Sequence, residues 1–174
     1  MLQKGEEKAI SHLQAIKLDT RNEIKDRIKQ RDQYSIQLTI SLGLIIAVSF
    51  PPNGFTRALM AAPLVSIYFT VLILYSYRVH KLLAQYLRDE IEPELSRLCG
   101  TLPVKEWETY YSAHTVPGIR RNFFILALWV TSAISLLYLW LTQNADTSFK
   151  IVLLVATIVY IAAILAITIA FWKR

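Results

Sequence analysis

This 174-residue chain has one cysteine, three histidines and five glycines. Cys99 alone can form neither an intrachain disulfide nor a cysteine zinc site, and a lone thiol fits a reducing compartment. His12, His80 and His114 are far apart, and none has a second ligand at the His-x-x-x-His spacing that puts two imidazoles on one helix face. So few glycines leave no phosphate-cradling loop, and neither a Gly-x-Ser-x-Gly elbow nor a Cys–His pair occurs. The expectation is a protein that is not an enzyme and carries no cofactor or metal.

The most informative absence is of charge. Four stretches, 34–50, 58–77, 122–141 and 149–172, contain no Asp, Glu, Lys or Arg in their interiors apart from Lys150 at a rim. Each is close to the ~20 residues needed to cross a bilayer core, the first being the shortest. An ionised group at the bilayer centre costs about 2.5–3.5 kcal/mol on the insertion scale, a cost that transporters and proton relays accept for function. With none present, an ion-coupled transporter is not expected. Gln37 is the one strongly polar side chain within a span, placed near the headgroup level with a pore-lining role as the alternative.

What charge there is lies on one side. Of 19 Lys and Arg residues, all but Arg57 and Lys150 flank the same ends of the four stretches. Positive residues stay cytoplasmic, so both termini and the segment between the second and third spans are assigned to the cytoplasm. The net charge of +6 then reflects basic residues facing anionic headgroups, and the expected partner is the lipid bilayer rather than nucleic acid. The first 33 residues lack an apolar h-region, so an uncleaved anchor is expected instead of a signal peptide.

The fold class follows: all-α, four transmembrane helices and a small cytosolic helical bundle. Its segments are an amphipathic arm (1–33), a first transmembrane hairpin (34–77), a cytosolic segment (78–121) and a second hairpin (122–174). In the arm, Ile10, Leu13, Ile16, Ile24 and Ile28 recur at helical spacing. Thr20 and Glu23 fit a capping box that restarts the helix, while the lack of Pro or Gly from Lys8 to Leu42 fits one helix running into the first span. Pro51-Pro52-Asn53-Gly54 closes the first hairpin.

The second span continues as helix from Ala58 to Ile91, so ~20 Å of it extends beyond the bilayer. A break or kink is expected at Glu92-Pro93, and a further break at Gly100 and Pro103. A short helix over 104–113 and a turn at Pro117-Gly118 complete the segment. The stripe of Val79, Leu82, Leu83, Leu87, Ile91 and Leu95 should pair with that of the arm, with Leu83, Leu87, Ile91 and Trp107 buried near Ile24 and Ile28.

Small residues recur every fourth position: Ala58, Ala62, Ser66 and Thr70; Ala127, Thr131 and Ser135; Ala162, Ala166 and Ala170; and Gly43 with Ala47. Such ladders let backbones approach closely in lipid, within one unit or between copies, and the face of Ala58, Ala62 and Ser66 is the expected homo-oligomer contact. The run Asp89, Glu90, Glu92, Glu94 stands among Arg88 and Arg97 and reads as a solvated, salt-bridged face rather than a metal site.

Two motifs distinguish the cytosolic part: 86–93, Tyr-Leu-Arg-Asp-Glu-Ile-Glu-Pro, and 107–110, Trp-Glu-Thr-Tyr. Together with the charged arm they resemble a widespread group of uncharacterised bacterial four-span membrane proteins. The resemblance implies the inner membrane of a bacterium and brings no activity with it. Tyr86, Arg88, Trp107 and Tyr110 are candidates for contact with a cytosolic protein, with bundle packing and interfacial anchoring as the other readings. Size and layout are analogous to small effectors of defence systems that change membrane permeability. A membrane scaffold recruiting a soluble partner is the alternative.

Overall fold

The structure is a computed structural model that describes residues 2–50, 55–100, 119–142 and 147–172. Among them every regular element is a helix, and there is no strand. Helix α1 is Leu2–Ser49, and a 3₁₀ segment, Thr56–Met60, leads into α2, Ala61–Tyr86. A π turn, Leu87–Ile91, joins α2 to α3, Glu92–Cys99, and two long helices follow, α4 (Ile119–Thr142) and α5 (Thr147–Trp172). The turn at 51–54, the helix at 104–113, the turn at 117–118 and the aromatic residues Trp107, Tyr110 and Tyr111 lie outside the described residues.

Of the two readings of the arm, α1 takes the continuous one. Thr20 starts no new helix, and the exposed face is stitched by Glu23–Arg27 (2.7 Å) and Asp26–Lys29 (4.0 Å) pairs at helical spacing. Pro63 stands just after the change from the 3₁₀ segment to α2 and is buried there. The break or kink expected at Glu92-Pro93 takes the form of a change of helix: α2 ends at Tyr86, and α3 starts at Glu92 with Pro93 in its first turn. Pro93 cannot donate to the carbonyl of Asp89, and its ring crowds that carbonyl. The chain widens into the π turn over Leu87–Ile91 and stays helical to Cys99. Likewise the helix does not begin at Ala58 as an α-helix: its first turn is the tighter 3₁₀ form. The helix does stop at Gly100, whose φ of 64° is the left-handed cap that glycine adopts without a Cβ penalty.

Among the described residues, three helical segments are long and apolar enough to cross a membrane: Thr56–Cys99, Asn122–Thr142 and Thr147–Phe171. The C-terminal half of α1 is not among them, because Ser35, Gln37, Thr39 and Ser41 dilute its apolar residues.

Two compact units emerge, Met1–Arg31 with Tyr75–Pro117 and Asp32–Leu74 with Gly118–Arg174. In the first, Ile24, Leu87 and Ile91 form the buried centre, and Leu13, Ile16, Ile28, Leu83 and Ala84 pack against it. The two half-stripes therefore cover each other. In the second, Leu59, Leu136, Leu139 and Leu153 form the centre, joined by Ile45, Met60, Tyr138, Phe149 and Tyr160. Small hydroxyl residues fill the rest of that core: Ser66, Thr70, Ser132 and Ser135 are all buried.

Helices α4 and α5 are keyed by two matching rungs. The indole of Trp129 donates to Thr168 (3.1 Å), and that of Trp140 donates to Thr157 (3.3 Å). Each threonine hydroxyl in turn donates to the carbonyl one turn back, of Ile164 and Leu153 respectively. Those two residues are the fully buried ones among the described residues of α5.

Candidate functional site

The charged chemistry of the first unit is concentrated where α1 faces α2 and α3. Arg31 is only 7% exposed, although the sequence presents it as one more cation in a charged run. Its guanidinium lies over the ring of Tyr77, 4.9 Å from the centroid, which offsets part of the cost of removing the charge from water. One helical turn before it, the carbonyl of Arg27 accepts the hydroxyl of Ser76 at 2.9 Å. The Arg27 side chain reaches Glu23 and Gln30 on its own helix.

His80 completes this cluster. Its ring is 6.3 Å from that of Tyr77, it is half-buried, and its Nδ1 is enclosed without a hydrogen-bond partner. Burial, and secondly the charge of Arg31, hold its pKa below the ordinary histidine value of 6.5. It is thus placed against an arginine.

Farther along the same pair of helices, Glu92 is 0% exposed, with Arg21 at 3.9 Å across the gap. This corrects one part of the acidic-run reading. Arg88 binds Asp89 (2.6 Å) and Arg97 binds Glu94 (2.6 Å) on the surface, and in each pair the hydrogen bond to the guanidinium holds the carboxyl below its usual value. Glu92, however, turns inward with Leu95 and Ser96. The reason is periodic: Glu92 stands one residue after Ile91 and four before Ser96, on the flank of the buried stripe. No group of His, Cys, Asp and Glu among the described residues could hold a metal ion.

The remaining candidates are scattered. Tyr86 is 42% exposed, and Arg88 is engaged with Asp89. Trp107 and Tyr110 lie outside the described residues. Ala58 is half-covered, while Ala62 and Ser66 are 3% and 2% exposed within a single chain. Of the two uses left open for this face, internal packing accounts for the covered Ala62 and Ser66 within a single chain. Spacing alone could not tell the two apart, since both need the same small side chains. Ala162, Ala166 and Ala170 on α5, and Gly43 and Ala47 on α1, are exposed. Gln37 is also exposed, between the exposed Ile36 and Ile40.

At the other end of the second unit, Arg57 stacks on Phe149 (4.6 Å), the neighbour of Lys150. Arg57 thus lies against the first turn of α5, the turn that also carries Lys150.

Comparison with protein-family models, with characterised proteins and with solved structures gives no match to this chain.

Proposed function

We propose that the chain is a non-enzymatic protein of the bacterial inner membrane with four spans, in which the C-terminal half of α1 is the fourth. Both termini and the first unit lie on the cytoplasmic side, where that unit reads a soluble partner or ligand. The observation that carries this reading is the cluster around Leu59: Ile45 of α1 packs into it with residues of the 3₁₀ segment, α4 and α5, and the ring of Phe50 lies tilted against that of Tyr138 at 5.0 Å. A stretch too polar to qualify alone is accommodated in lipid when it leans on three apolar neighbours. The placement of Arg57 against the turn of α5 that carries Lys150 supports the same orientation.

In this reading the protein self-associates. Gln37, exposed between Ile36 and Ile40, gains from a hydrogen bond across a helix interface, and that favours α1 over the buried face of α2. The output is a change in membrane permeability. A scaffold that recruits a soluble protein without conducting is the second reading, favoured by the exposed Leu82 and Tyr86 on the first unit.

Cysteine labelling at Asn53 and at Lys25, in a Cys99→Ser background, tests the orientation: external reagent should reach the first position and not the second. Equal labelling of both would sink the four-span topology. Ion flux in liposomes, together with mass measurement in nanodiscs for wild type and Gln37→Leu, separates the two functional readings. Flux with an oligomer that Gln37→Leu weakens supports the first, and a silent monomer leaves the scaffold.

A further inference from the structure

The Arg31–Tyr77–His80 cluster takes no part in the function proposed above, yet it is the most constrained group of ionisable side chains in the first unit. We propose that it is a proton-sensitive joint: protonation of His80 loosens the packing of α2 against α1.

Two independent features of the site disfavour the imidazolium. The first is charge. Arg31 is almost completely buried, is fixed over Tyr77, and acts on the imidazole as a cation. A second positive charge beside it, in a place that water reaches poorly, is repelled far more than it would be at the surface. The second is hydrogen bonding. Neutral histidine can keep Nδ1 as a bare lone pair, but the protonated ring carries an N–H at both nitrogens. Nδ1 is enclosed without a partner among the described residues, so protonation would bury an unsatisfied donor.

Arg31 and Tyr77 face the ring, and the charged groups that neighbour the cluster in sequence are Arg27 and Asp32 on α1 and Arg78 and Lys81 on α2 itself. Asp32 is exposed, Arg27 is held by Glu23 and Gln30, and Arg31 is the charge that acts on the imidazole.

The sign follows from linkage. A histidine whose pKa is lowered in the packed state contributes stability that is present above the open-state value of 6.5 and is lost as pH falls below it. Near neutral pH the joint is closed. On acidification its opening constant rises by up to about tenfold per pH unit until the closed-state pKa is reached.

Hydrogen exchange of the α1 amides around Ile24–Arg31 reads that constant directly. The full chain in nanodiscs is compared from about pH 8 to pH 5, corrected for intrinsic exchange. Wild type should show the rise below 6.5, whereas His80→Gln and the space-filling His80→Phe should both be flat over the same range. Matching exchange at the alkaline end establishes that the variants are folded. Arg31→Gln should give a smaller total rise that levels off at a higher pH, since burial still disfavours the imidazolium but the neighbouring charge is gone. A flat wild-type profile, an undiminished rise in both His80 variants, or an undiminished total rise in Arg31→Gln would each overturn the joint as described.

Discussion

The two units are built from the same two long helices, yet the rules of packing change along them. In the first unit, α1 and α2 meet through Ile24, Leu87 and Ile91, and charged side chains enter the interior: Arg31 over Tyr77, Glu92 opposite Arg21. In the second, the same helices and α4 and α5 bury serine and threonine hydroxyls among leucines, and no charged side chain of the described residues is buried there. Their outward faces differ as strongly. Leu44, Leu64, Ile134, Ile158 and Ile169 are exposed on the second unit, while Lys25, Lys29 and Asp26 cover the arm of the first. Apolar burial is driven by water and needs an aqueous outside. Close approach through small residues and hydroxyl hydrogen bonds is how helices associate where the outside is itself apolar.

That contrast can be broken experimentally, and the largest effect belongs to the first unit. Leu87 is 0% exposed at its centre, so Leu87→Ala should cost about 2–5 kcal/mol. The loss should appear in hydrogen exchange of α1 around Ile24 and leave α4 and α5 unchanged. Collapse of protection in both units would show a single cooperative structure. Next in size is Ile158→Arg on the exposed face of α5, which should raise the cost of membrane insertion by about 2.5–3.5 kcal/mol near mid-span. A translocon insertion assay checks it, and no change would mean that this face meets water.

Ala62→Leu sharpens the comparison within the second unit. Because Ala62 is already enclosed, the larger side chain should overpack the core at a cost of about 1–3 kcal/mol, read by denaturant titration in detergent. Ala166→Leu, at an exposed position of equal spacing, should be tolerated. The smallest effect is expected at the surface pair of Arg97 and Glu94: Glu94→Gln should leave the melting temperature within error, because solvent screens such pairs. A clear drop would mark that pair as part of a larger network.

The pairing of Leu83, Leu87 and Ile91 with Ile24 and Ile28 was legible because apolar residues at helical spacing must be covered, and each stripe was the nearest cover for the other. The glycine stop at Gly100 was legible for a local reason, a left-handed cap. What could not be read were contacts set by residues far apart in the chain. Nothing in the run around Arg31 marks it as the buried arginine, since its partner Tyr77 lies on another helix. Glu92 looks like its acidic neighbours until the register of α3 against α1 is known. The π turn was hidden as well, because a proline announces only that a hydrogen bond is lost, and not whether the helix bends, ends or widens.

The two tryptophan–threonine rungs have a consequence for movement. On α4 and on α5 alike the partners stand eleven residues apart, close to three full turns and about 16 Å along the axis, so both rungs lie on the same pair of facing lines. A slide of one residue would unseat both indoles at once, and a rotation would carry both threonines out of reach together. This hairpin can tilt or shift as a single rigid plank, but it cannot act as a piston. Any rearrangement within the second unit must therefore come from α1 or α2 moving against it, and once Trp107 and Trp172 are replaced by Phe the two remaining indoles serve as built-in fluorescent markers that should stay unchanged while that happens.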